Sequence, residues 1–194
     1  MDKDKIENLF QNVLAKDEIL LWVGQSDIRK IFTRLDLFLI PFSILWCGFA
    51  IYWEYLALFI MKRQGHDPGL FSPLFGLLFV LMGFYLVVGR FFYKNYQKKN
   101  TFYALTNQRI FILPKTAKQT LRTLGIHQIS AIHQSIDSAG IGTLIFGKVP
   151  MFGSFYGNTG LDFLASQYNN EVMAFYDIPK AEAVYCQIND LQNS

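Results

Sequence analysis

Apolar positions are concentrated in two places along this chain. Leu37 to Met61 is a 25-residue run whose single charge is Glu54, and Gly69 to Gly89 is a 21-residue run with no charge. A bilayer core about 30 Å thick needs roughly 20 helical residues at about 1.5 Å each, so either run is long enough to cross it. Soluble helices of this length carry a polar face, and neither run has one. Only Lys62 to Pro68 separates them, which predicts an antiparallel helical hairpin. Pro41, Pro68 and Pro73 fall near the helix starts, where a missing N–H is tolerated. Before the first run, thirteen charges among 36 residues argue against a signal peptide.

Small residues give each predicted helix a contact face. Ser43, Cys47, Ala50, Glu54 and Ala57 recur at spacings of four and three, and Ser72, Gly76, Phe79 and Gly83 make a comparable stripe. Small residues let helices approach closely in lipid. Glu54 is thereby expected in the helix contact, or in an oligomer interface, and not facing lipid. An intramembrane carboxylate marks a functional site by default. A proton pathway needs more than one such group, and Glu54 is alone in the spans, so a neutral or hydrogen-bonded carboxyl is the expectation.

Lysine and arginine near the helix ends orient the hairpin. Arg29, Lys30 and Arg34 precede the first run; Arg90, Lys94, Lys98 and Lys99 follow the second; the loop has only Lys62 and Arg63. Seven against two predicts that both termini are cytoplasmic. Arg90, Lys94, Lys98 and Lys99 are also candidate contacts for anionic lipid headgroups, at roughly 1 kcal/mol each near a surface.

Elsewhere the pattern shortens to strands. Thr101–Leu113, TFYALTNQRIFIL, predicts a β-hairpin turning near Asn107. Further strands are expected at Thr120–Leu124, Ile129–Ile136, Thr143–Phe146 and Glu171–Tyr176, with a turn at Asp137–Gly140. Pro179 is expected to open a helix with Ala181, Ala183, Val184, Tyr185 and Ile188 on its apolar face. Ile6–Leu14 predicts a short amphipathic helix, and Glu18–Gly24 a strand that pairs with the later ones. Short antiparallel strands plus one helix predict a small barrel or sandwich. The segment 148–170, rich in glycine and aromatics, interrupts the meander as a long loop that either faces the membrane or a partner or folds back on the barrel. The expected divisions are a segment at 1–34, a hairpin at 35–93 with spans near 37–61 and 69–89, and a domain at 94–194.

Composition narrows the function. The chain is 52% hydrophobic and 17% charged, which excludes a disordered chain. Eighteen basic against fifteen acidic residues argue against a nucleic-acid binder. Two cysteines, Cys47 and Cys186, do not make a disulfide scaffold, and His66, His127 and His133 lack metal-ligand spacing. There is no Ser/His/Asp set and no phosphate-binding glycine loop, and Gly140-x-Gly142 enters a strand, the wrong context for a dinucleotide fingerprint. No enzyme activity and no cofactor is expected.

Tyr103-Ala104-Leu105-Thr106-Asn107-Gln108-Arg109-Ile110 resembles the hairpin motif of bacterial pleckstrin-homology-like membrane proteins. Glu18–Gly24, Gly140–Gly147 and Phe175–Pro179 followed by Val184-Tyr185 resemble further parts of that family. The resemblance implies a strongly bent antiparallel barrel capped by a C-terminal helix, anchored in the bacterial inner membrane. It marks Tyr103, Thr106, Asn107 and Arg109 as motif residues, and Arg109 is expected to anchor the turn. It implies no catalysis, and inositol-lipid binding does not carry over because no basic cluster sits in a loop after the first strand. Two roles are consistent with this: a membrane-anchored binding or scaffold module recognising a protein or lipid headgroup, or an accessory subunit of a transporter or protease assembly that uses the hairpin as its contact. The expected partners are the membrane itself and a protein, another copy of the chain included.

Overall fold

The structure is a computed structural model; it describes residues 6, 9–11, 13–33, 35–60, 63, 65, 71–115, 120–147, 158–161 and 172–193. The chain forms two compact units. One is Phe32–Tyr93, and the other joins Met1–Ile31 to Lys94–Ser194.

The Phe32–Tyr93 unit holds the apolar runs. Helix α1, Asp36–Tyr55, continues through a π-helical turn at Leu56–Ile60. Helix α2, Phe71–Phe84, continues through a second π-helical turn, Tyr85–Gly89, into α3, Arg90–Asn100. Two helical stretches, Asp36–Ile60 and Leu74–Asn100, are long and apolar enough to cross a membrane. Small residues make their contact. Ser43, Ala50 and Ala57 are buried, and a Cβ built on Gly83 would lie 3.0 Å from the Cys47 Cα. Trp46 and Phe79 stack at 6.1 Å between ring centroids. Pro41 lies inside α1, past its first turn, so the Leu37 carbonyl receives no helical bond from it. The side chain of Ser72 lies outside the described residues.

The other unit is mixed α and antiparallel β. Strand β1 is Leu20–Gln25, β2 Thr101–Thr106, β3 Arg109–Pro114 and β4 Arg122–Gly125; they form one sheet in that order. Strands β5 (Ile132–Ile136), β6 (Ile141–Phe146) and β7 (Met173–Pro179) form a second. Helix α4, Ala181–Asn193, follows. The described strands do not close into a barrel; where a barrel or sandwich was expected, they form two separate antiparallel sheets.

Alternation of side chains explains the burial. In β6, Gly142, Leu144 and Phe146 point one way and are enclosed. They join Tyr103, Leu105, Ile110, Ile112, Phe175, Val184 and Ile188 in one core beneath both sheets and α4. Phe175 sits at its centre, 4.8 Å from the Tyr103 ring and 5.0 Å from Phe146. Gly142 is required where it stands, because a Cβ there would meet Ala181 Cβ at 2.8 Å, the first residue of α4. Strands β2 and β3 are apolar on both faces. Phe102, Ala104 and Phe111 point away from that core and are covered by Ile6 and Phe10 of the N-terminal segment.

Some element ends differ from the sequence expectation. Pro179 ends β7 and does not open α4, which starts after Lys180 in the left-handed region at φ 55°. Ala183 is exposed, and only Ala181, Val184 and Ile188 of the predicted apolar face are buried. Of the long loop at 148–170, only 158–161 is described, and it is buried; its aromatic residues lie outside the described residues.

Candidate functional site

The β2–β3 hairpin turns at Asn107-Gln108, and its polar side chains converge on the segment before β1. The Thr106 hydroxyl accepts the N–H groups of Gln108 and Arg109 at 3.3 and 3.1 Å and donates its one proton to the Glu18 carboxylate at 2.7 Å. Arg109 donates to both Glu18 oxygens, through Nε at 3.0 Å and Nη2 at 2.8 Å, and its guanidinium lies 4.8 Å from the Phe111 ring centroid. Ala15 N–H adds a third donor to Glu18 at 2.9 Å. Asn107 ties Ile19 twice: Ile19 N–H donates to Asn107 Oδ1 at 2.9 Å, and Asn107 N–H donates to the Ile19 carbonyl at 3.2 Å. The Tyr103 hydroxyl accepts Tyr176 N–H and lies 3.3 Å from Ser26 Oγ. Burial alone would raise the Glu18 pKa, but Arg109, Ala15 and Thr106 outweigh it and hold the carboxyl down to about 2. Glu18 in turn holds the Arg109 proton more tightly than usual.

A second cluster is centred on Asp177, buried in β7. It has φ 48°, an uncommon left-handed backbone, at the register shift between Gly142 and Leu144. Lys98 of α3 donates to Asp177 Oδ2 at 2.6 Å, to the Lys30 carbonyl at 2.6 Å and to the Asp27 carbonyl at 3.2 Å. Lys30 pairs with Asp177 at 3.4 Å and with Asp137 at 3.0 Å. Asn158, from the long loop, donates to the same Asp177 oxygen as Lys98. Asp27 N–H donates to the Asp177 carbonyl at 2.7 Å. Lys94 donates to the Ile31 carbonyl at 2.5 Å, and Gln25 caps α3 through the Lys99 carbonyl at 2.6 Å. Burial works against the Lys30 ammonium, but the Asp137 and Asp177 carboxylates outweigh it and raise its pKa. The Lys30 hydrogen bond lowers that of Asp137.

These two clusters act as clamps. The first fixes residues 15–19 to the hairpin, and the second fixes residues 27–31 and the end of α3 to β7. The segments held are those that lead into α1 and out of α2.

The motif residues Thr106, Asn107 and Arg109 belong to the first clamp, and Tyr103 joins Ser26, just before the second, to β7 through Tyr176. The candidate lipid contacts need correction. Arg90, Lys94 and Lys98 are buried, at 1%, 2% and 4% exposure, and only Lys99 is open to solvent. Residues 90, 94 and 98 repeat every four positions and so share one face of α3. Lys94 and Lys98 meet backbone carbonyls and Asp177. Within the other unit, Arg90 forms an ion pair with Asp36 and donates through Nε to the Leu86 carbonyl at 2.8 Å. Buried charges persist where they are paired and hydrogen-bonded, which is the physical reason these three face inward.

Glu54 lies against Gly76 of α2. A Cβ on Gly76 would fall 1.4 Å from its Oε2, so Gly76 provides the room it occupies. That oxygen is buried and has no hydrogen-bond partner among the described residues.

Glu18, Asp36 and Asp177 were not singled out from sequence, and Lys30 was read there only as a charge that orients the hairpin. One signal was available: in α3, Arg90, Lys94 and Lys98 fall on the face opposite the aromatics Phe92 and Tyr96. The chain matches no protein-family model, no curated protein and no solved structure in comparisons with each.

Proposed function

We propose that the chain is a non-catalytic, membrane-anchored scaffold module with a pleckstrin-homology-like domain at the inner leaflet of a bacterial membrane. In this reading α1 and α2 span the bilayer, both termini are cytoplasmic, and the loop between the helices is outside. The observation that carries it is the pair of clamps. Tyr103, Thr106, Asn107 and Arg109 of the YALTNQR motif contact the chain's own segment ahead of α1, and Lys94 and Lys98 hold the residues between β1 and α1. Such residues fit a domain built around a membrane hairpin better than a substrate site. A four-stranded sheet, a three-stranded sheet and a C-terminal helix are in keeping with the family resemblance. Purifying the full chain in mild detergent after crosslinking tests the scaffold role. A stoichiometric protein partner supports it, and a chain recovered only alone counts against it.

A second reading, an accessory subunit that docks through its hairpin, is favoured by Glu54. A carboxyl oxygen buried in an apolar contact without a donor is costly, and a donor from another helix would relieve it. Glu54→Gln separates the two: loss of the crosslinked assembly favours hairpin docking, and retention favours contact through the domain.

A further inference from the structure

Helix α3 is amphipathic in an inverted sense. Its basic residues Arg90, Lys94 and Lys98 face inward, whereas Phe92 and Tyr96 are 72% and 54% exposed. At about 100° per residue, positions 92, 96 and 99 share one face, opposite that of 90, 94 and 98. Lys99 is exposed on this outward face, and Ile28 and Ile31, in the segment held by Lys94 and Lys98, are 44% and 41% exposed. Large aromatics left this open at the end of an apolar helix call for a covering partner.

We propose that the outward face of α3, formed by Phe92, Tyr96 and Lys99, is an interfacial lipid-binding surface. It replaces the basic cluster as the site of headgroup contact, and it rests on the membrane placement of α1 and α2 proposed above. Three features of the sequence and fold select lipid as the occupant. The first is continuity: the uncharged run ends at Gly89 and the same helical stretch goes on to Asn100. The second is depth. Phe92 lies about 3 Å beyond Arg90 along the helix, within a headgroup layer of roughly 5–8 Å on each side of the bilayer core, and Tyr96, about 9 Å beyond, lies at its outer edge. The third is chemistry. Aromatic rings favour the membrane–water interface, and a lysine one turn farther out reaches phosphate while its stem covers apolar surface.

Site-directed spin labelling tests this on the full chain with Cys47→Ser and Cys186→Ser. Phe92→Cys and Tyr96→Cys are labelled singly, and the protein is reconstituted in vesicles of phosphatidylethanolamine and phosphatidylglycerol. Collision with oxygen, which partitions into lipid, is compared with collision with a water-soluble nickel chelate. Two reference labels are included: Leu78→Cys in α2 and Glu182→Cys on the exposed side of α4. The proposal expects oxygen to exceed the chelate severalfold at 92 and 96, as at 78, with the reverse at 182. Chelate exceeding oxygen at 92 and 96 while 78 stays oxygen-favoured overturns the lipid surface alone, and leaves this face open for a protein. Chelate access at 78 overturns the membrane placement and the proposal with it. Tyr96→Trp, read by quenching with brominated lipid against Tyr96→Phe, gives a second readout with a smaller change of shape; absence of added quenching also overturns the proposal.

Discussion

Protonating Glu18 should unlock the first clamp, and the size of the effect follows from its surroundings. Its side chain has no solvent exposure, and three sets of donors hold its pKa at about 2 instead of 4.5. One pKa unit is about 1.4 kcal/mol, so a depression of this size corresponds to about 3 kcal/mol of stability. The folded pKa is the lower one, so the unfolded chain binds more protons between the two values. The contribution is therefore complete above pH 4.5, declines as the pH falls, and is gone once the pH passes below about 2. The perturbation is Glu18→Gln, which keeps shape and removes charge. Trp22, packed 5.7 Å from Phe175 in the core, reports unfolding of this unit by fluorescence. Denaturant unfolding of the full chain in detergent at pH 7 should show the variant about 3 kcal/mol less stable than wild type. The gap should close progressively as the pH falls below 4.5. A variant as stable as wild type at pH 7, or a gap that stays constant into acid, would refute the reasoning.

Two further substitutions probe the second clamp and the hairpin. Asp177→Ala leaves Lys98 buried without its carboxylate and forces alanine into φ 48°, so a loss of about 3–5 kcal/mol is expected in the same unfolding assay. Asp177→Asn tolerates that backbone and keeps an acceptor, and should lose clearly less; equal losses would show that the left-handed backbone is not a constraint. In the hairpin, Gly83→Leu must displace the Cys47 backbone, whereas Gly48 has open space around it. Gly83→Leu should therefore lower thermal stability in detergent by about 1–3 kcal/mol and Gly48→Leu should not; equal effects would contradict the contact face.

How much was legible in the sequence varied with the kind of interaction. The hairpin at Thr101–Leu113 was readable because β-branched and aromatic residues flank a polar turn, and β1 was readable from the short apolar run Ile19–Val23 between Glu18 and Gly24. The contact stripe through Ser43, Ala50 and Ala57 was readable because helical periodicity brings small residues together. Pro179 misled because its fixed φ suits the end of an edge strand as well as the start of a helix. The buried basic residues misled for a different reason. Counting lysines near a helix end gives orientation, but burial depends on partners distant in sequence, and Asp177 is 79 positions from Lys98. Likewise the apolar residues on both faces of β2 and β3 made sense only once Ile6 and Phe10 were seen to cover the outer face.

The central claim, a membrane hairpin with both flanking segments on one side, is tested most directly by thiol labelling in intact cells. Cys186 is exposed on α4 and serves as a native probe, and Arg63→Cys places a second in the loop between the spans, with Cys47→Ser removing the thiol of α1. A membrane-impermeant maleimide should label position 63 in intact cells and Cys186 only after the membrane is opened. Labelling of Cys186 in intact cells, or of neither site until lysis, would contradict the account.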